Sequence, residues 1–329
     1  MAGVETRTVD ADEAGMRLDR WFKQHYPGLG FGALQKLLRT GQVRIDGARA
    51  KPDLRLAAGQ AVRVPPGAGE RRSNAPLTAG TIRHRTDGDV LASMLLHEDD
   101  DAFVLNKPAG LATQGGSGVV RHVDGMLEAW RNRRGEKPRL VHRLDRDTSG
   151  VLVVARTRRA AQAFTAAFRR RETRKIYWAL VKGVPAKDEG RLSNWLLKEQ
   201  TPDGDRMRVV PHGTADADHA ISHWRVVERA AQRLGWLEMR PETGRTHQLR
   251  VHAAALGHPI IGDPKYFEAD QNWEFPGGVQ KRLHLHARRI VVPLEGRSAL
   301  DVSAPLPPHM RQSWNLLGFD DASADEEET

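Results

Sequence analysis

The stretch VHRLDRDTSGVLVVART, residues 141–157, sets the carboxylate of Asp145 between Arg143 and Arg146, adds Asp147 two positions on, and then enters an apolar run. With His142, that makes two acids and three basic groups in six residues. Such a cluster must be solvated, neutralised internally, or aimed at a ligand. A carboxylate held on a loop by rigid strands can serve as a nucleophile. A structural arginine–aspartate pair at a turn is the plainer explanation of the same pattern.

Other chemistries can be weighed on residue types. Ser149 with His142 and Asp145 or Asp147 has the composition of a hydrolase triad, but no GxSxG elbow surrounds the serine. His247, His252, His258, His284 and His286 invite a metal reading, yet their spacing matches neither HExxH nor any Cys/His array, so no metal is expected. The GGSG after Gln114 lacks the flanking residues of a phosphate-binding loop and reads as a flexible turn.

The 329 residues suggest two domains, on a prior of roughly 100 to 200 residues each. Lys and Arg number 51 against 42 Asp and Glu, a formal charge of +9. That excess favours a polyanionic partner such as nucleic acid. It is concentrated between Arg156 and Lys175, where Glu172 is the lone acid. The absence of cysteine excludes disulfides and fits a reducing compartment. No leader-like or membrane-spanning apolar window occurs, so a cytoplasmic protein is expected.

These groups need elements to position them. Leu18, Trp21 and Phe22 share one helical stripe, and Leu34, Leu37 and Leu38 another; Gly41 ends that helix, and QVRIDG then alternates as a strand into a turn at Asp46 and Gly47. A small helix–helix–strand–turn–strand domain is expected over residues 14–65. Residues 66–90, rich in Pro, Gly and charge at their start, read as a linker. Residues 91–318 form the larger unit, with strands at VLVVA, IYWALVKG, ISHWRVV, LGWLEMR and RRIVVPL. Helices are expected at SGVVRHVDGMLEAWRN, RRAAQAFTAAFRRR and THQLRVHAAALG. Many strands with occasional helices favour an α+β fold with a mixed, largely antiparallel sheet and a central cleft. The acidic end, residues 319–329, reads as disordered.

HRLDRDTSGVLVVA resembles the signature of the RluA-type RNA pseudouridine synthases. NKPAGLATQGGSG (106–118), RKIYWALVKG (174–183), TGRTHQLRVHAAALGHPIIGD (243–263) and LHLHA (283–287) are similar to that family's other segments, in the same order. TQGGSG and RHVDGMLEAW are closest to its RluC-like branch, and residues 14–65 resemble the S4-type RNA-binding module that this branch carries. The resemblance implies isomerisation of uridine to pseudouridine in RNA, with large-subunit (23S) ribosomal RNA as substrate. It implies no cofactor and no metal. A monomer is expected, because the cleft must admit a folded RNA.

By resemblance, Asp145 is the nucleophile, Arg250 its partner arginine, and Tyr177 the active-site tyrosine that packs on the base. Arg143 would fill the space left by the flipped nucleotide, which costs a few kcal/mol to extrude. His142, Arg245 and His247 would contact RNA or the catalytic loop, and Leu285 would supply an apolar wall. Lys36, Arg39, Arg44, Arg49, Lys51 and Arg55 would meet phosphates from the small module. Two rivals remain at this level. One is a catalytically silent RNA-binding or ribosome-assembly protein of the same fold; the other is a base hydrolase, which would release free uracil.

Overall fold

Two apolar stripes and a few short alternating runs build the first part of the chain, and a long series of strands builds the rest. The computed structural model describes residues 4–26, 29, 31–65, 87–116, 119–201, 204–267, 277–296 and 298–324. They fall into two units, residues 4–65 with 131–136, and the remainder from 87 onward.

In the first unit, α1 (Leu18–His25) and α2 (Phe31–Arg39) accompany a four-stranded sheet of β1 (Glu5–Thr8), β2 (Arg44–Ile45), β3 (Ala48–Arg49) and β4 (Ala61–Val64), ordered β1-β4-β2-β3. Leu18, Trp21, Phe22, Leu34, Leu38, Val43 and Val62 form its core. Glu13 is buried against α1, where Trp21 Nε1 donates to it at 2.8 Å and His25 pairs with it. Burial raises the pKa of this carboxyl, but those bonds outweigh burial and bring it down to about 2. The unit begins earlier than residue 14. β1 pairs antiparallel with β4, and Val9 is buried. ETRT carries no apolar alternation, so nothing in its pattern announces an edge strand.

The second unit opens with α3 (87–93), which starts inside the stretch expected to be linker and buries Leu91. Residues 66–86 of that stretch lie outside the described residues. An eleven-stranded sheet follows, made of β5 (Leu95–Glu98), β6 (Ala102–Lys107), β7 (Arg139–Leu140), β8 (Ser149–Ala155), β9 (Arg174–Lys182), β10 (Glu189–Thr201), β11 (Gly204–Val210), β12 (Asp218–Ala230), β13 (Leu234–Pro241), β14 (Leu285–Val292) and β15 (Leu300–Ser303). Its main path is β11-β10-β12-β13-β9-β14-β8-β6-β5, with β15 on β14 and β7 on β8. Every pairing is antiparallel except β14 with β8, so the sheet is mixed as expected.

β8 is buried along its whole length. Val151, Val153 and Ala155 pack with α5 (Arg158–Arg169), while Leu152 and Val154 pack with α4 (Val123–Met126) and Leu144. A strand covered on both faces reads as a continuous apolar run, which VLVVA is. Farther along the sheet, α6 (Gln248–Ala255) covers one face through Leu249 and Ala253, and α7 (Pro308–Leu317) joins the Trp178–Trp236–Trp314 cluster. The expected long helix around residues 117–132 is only α4 and a short 3₁₀ turn, Leu127–Trp130. The chain end also departs from expectation. Phe319 and Ala324 are buried, and Arg225 Nη2 donates to Ala324 O at 2.8 Å. Those two apolar side chains anchor a segment whose charge had suggested disorder; residues 325–329 lie outside the described residues.

Candidate active site

The loop that carries Asp145 joins β7 to β8 and is held from behind by the segment after β6. Thr113 Oγ1 donates to Leu144 O at 2.7 Å and accepts from Leu144 N at 3.2 Å. Lys107 Nζ donates to Arg146 O (3.0 Å), Leu111 O (2.8 Å) and Pro108 O (3.0 Å), and Gly110 N also reaches Arg146 O. The backbone is therefore pinned on both sides of Asp145. Burial lowers the Lys107 ammonium to about 7, against the pull of Asp147 and Asp145. Arg146 and Asp147 pair with each other at the surface.

Gly150 closes the loop into β8 at φ +112°. An added Cβ there would lie 2.2 Å from Ala287 O on β14, so the parallel β8–β14 pairing demands glycine. A similar demand holds at Gly262, where a Cβ would meet Arg282 O at 1.9 Å. That close turn presents Asp263, which is fully buried.

Asp145 and Arg250 meet in a cavity of about 510 Å³. Arg250, on α6, donates through Nε and Nη2 to the two oxygens of Asp263, both at 2.7 Å. Its Nη1 then stands 3.7 Å from Asp145 Oδ2, and the Asp145 side chain is 19% exposed against 3% for Arg250. Burial opposes the Arg250 charge, but Asp263 and Asp145 outweigh it and raise its pKa. Tyr177, on β9, lines the same cavity, and burial with the nearby Asp145 charge pushes its hydroxyl well above the usual range. It stays protonated as a donor.

The other expected residues lie around these three. Leu285 and Phe168 form apolar wall, and Arg143 is exposed at the lining. His142 lines the cavity, but its Nε2 accepts from Val153 N at 2.9 Å and its ring stacks on Phe168. Burial, aided by Lys175, lowers it to about 3, so the ring is neutral. Arg245 is braced by Asp218 (3.1 Å) and His219 O (3.3 Å). His247 caps α6 in a left-handed conformation and bonds the Tyr266 hydroxyl at 2.9 Å. That hydroxyl also accepts from Met207 N at 2.7 Å.

The alternatives fare differently. Ser149 bonds His286 Nδ1 at 2.9 Å, not His142, and both are buried, so no hydrolase triad forms there. His258 and His284 bond backbone carbonyls. Among the described residues no cluster of three or more metal-ligating side chains occurs. Sequence reasoning missed Lys107, Thr113, Asp263 and Lys175, although the quoted motifs contain all four.

A family model described as RNA pseudouridylate synthase matches residues 101–255. The chain is 36% identical over 321 residues to the ribosomal large subunit pseudouridine synthase C of Vibrio cholerae, spanning 95% of this chain and 97% of that protein. The Escherichia coli protein of the same name is 35% identical over 320 residues, with the same coverage. RNA pseudouridine synthase 4, mitochondrial, of Arabidopsis thaliana is 33% identical, spanning 91% and 78%. The structure of human RNA Pseudouridylate Synthase Domain Containing 4 superposes with a TM-score of 0.60 at 28% identity, over 73% of this chain and 98% of that one. With relatives this similar over nearly the full length, the chain belongs to the RNA pseudouridylate synthase family.

Proposed function

We propose that this protein isomerises uridine to pseudouridine in large-subunit ribosomal RNA, with Asp145 as the nucleophile. The observation that carries the assignment is Asp145 beside Arg250 at the wall of one cavity with Tyr177, Arg250 being held from behind by the buried Asp263. Asp263 takes up the Nε–Nη2 edge of the guanidinium, leaving Nη1 toward Asp145. At 3.7 Å that nitrogen stands beside Asp145 without forming a close hydrogen bond that would blunt its attack.

The reaction breaks the bond from ribose C1′ to base N1 and forms one from C1′ to C5. The C5 proton leaves and N1 gains one, so no redox partner or group donor is needed. Asp145 supplies the covalent or electrostatic step. Tyr177, held protonated, packs on the base, and the proton leaving C5 passes to the freed Asp145 carboxylate or to water. Leu285 and Phe168 keep the detached uracil from leaving while it turns. Arg143 fills the gap in the RNA stack, where its planar cation can stack and bond phosphate together.

The small unit then works as an S4-type RNA grip, its exposed Lys36, Arg39, Arg44, Arg49, Lys51 and Arg55 facing phosphates. On this reading the protein acts as a monomer in the cytoplasm. Asp145→Asn should abolish tritium release from RNA labelled at uridine C5 while RNA affinity changes little. Unchanged release, or free uracil as the product, would refute the assignment.

A further inference from the structure

The charged groups of the cavity are unevenly matched. Asp145 has Arg250 at 3.7 Å, Arg245 has Asp218 at 3.1 Å, and Glu242 has His223 at 2.6 Å. Lys175, two residues before Tyr177 on β9, has no such partner. Its ammonium, half-buried, makes one long bond to Thr243 O at 3.5 Å. An ammonium has three donors, and leaving a partly buried one so poorly matched is unfavourable unless a ligand completes it. Arg169 and Arg171 line the same cavity from the end of α5, and among the described residues neither forms an ion pair. Arg171 sits at φ 59° in the turn between α5 and β9, a left-handed conformation uncommon outside glycine and asparagine. Three cations with no ion pair among the described residues thus line one cavity, of which Arg171 acts at longer range on the Glu242 carboxylate.

Resting on the isomerase reading, we propose that Lys175, flanked by Arg171 and Arg169, is a phosphodiester subsite that grips the backbone beside the flipped nucleotide. Each nucleotide of an RNA brings one negative phosphate, and turning a uridine toward Asp145 draws its flanking phosphates to the cavity. A phosphate offers acceptor oxygens to all three Lys175 donors, and its charge balances the cluster. Burial, followed by the nearby Arg171, lowers the Lys175 ammonium to about 8, as for a cation short of counter-charge. Of the other groups facing it, His142 is held at about 3 and Tyr177 is pushed far up, so neither titrates near 8.

The test measures binding of the full chain to a uridine-rich single-stranded RNA oligonucleotide across a salt series, beside kcat and KM from tritium release. Lys175→Met should weaken binding about tenfold and shrink the slope of log affinity against log salt by about 0.7, with KM rising more than kcat falls. Arg171→Gln, at an exposed position that cannot unfold the chain, should shrink the slope with a smaller loss. Affinity should fall as pH rises through about 8, where the free ammonium loses its proton, and Lys175→Arg should keep affinity while removing that fall. An unchanged slope in both Lys175→Met and Arg171→Gln would overturn the subsite. So would a loss of kcat in Lys175→Met with affinity and slope intact, which would place Lys175 at the base or sugar. Absence of tritium release from the unaltered protein would instead sink the isomerase reading, and the salt slopes would still judge the subsite.

Discussion

Asp145 faces a cation whose directions are already assigned, and that division makes Asp263 as consequential as Asp145 itself. Losing one carboxylate of a buried pair leaves the other charge poorly matched. Asp263→Asn should therefore lower stability by about 3 kcal/mol and let Arg250 close on Asp145. The expected kinetic result is a fall of about tenfold or more in kcat with KM within a few-fold, read by single-turnover tritium release. A KM effect alone would show that Asp263 merely props the cavity. Part of this site was legible through the family resemblance. Asp145, Tyr177 and Arg250 come from three segments and line one cavity. Lys107 and Thr113 were not legible, because their partners Arg146 and Leu144 lie 39 and 31 residues away and the contacts use backbone atoms that no side-chain pattern reveals. His142 seemed poised for RNA, yet its nitrogen serves Val153, a commitment visible only once β8 is in place.

At the level of elements, the parallel β8–β14 pairing sets where the Asp145 loop ends. Gly150→Ala would force a Cβ against Ala287 O in a conformation alanine resists, costing on the order of 3 kcal/mol. Denaturant unfolding should show that loss, and activity should fall with it because the strand that anchors the loop must shift. A variant as stable as the parent would mean the two strands separate readily. The strands with apolar runs were readable in advance, as VLVVA and IYWALVKG show. The long outer pair β10 and β11 was not, since EGRLSNWLLKEQT carries charge on both faces at the margin of the sheet and has little apolar alternation. α6 was expected from THQLRVHAAALG, but its start at Gln248 depends on His247 adopting a left-handed cap.

Across the whole molecule, each unit owns its apolar cluster: Trp21 and Phe22 anchor the small one, and clusters along the eleven-stranded sheet anchor the large one. Removing residues 1–65 should thus leave the large unit folded. It should raise KM for ribosomal RNA at least several-fold while kcat at saturation is nearly kept, because the proposed RNA grip, tethered to the large unit, would raise the local substrate concentration without touching the chemistry. Equal KM in the shortened protein would show that the grip plays no part in capture. A last consequence follows from Lys107. It pairs with Gly150 across β6 and β8, so the residue that clasps the Asp145 loop also marks the alignment of two central strands. A slip of one position would turn its ammonium to the opposite side and release Arg146. With Asp145 as the proposed nucleophile, a misaligned chain lacks it in place, and assembling the sheet properly and arming the enzyme become a single event.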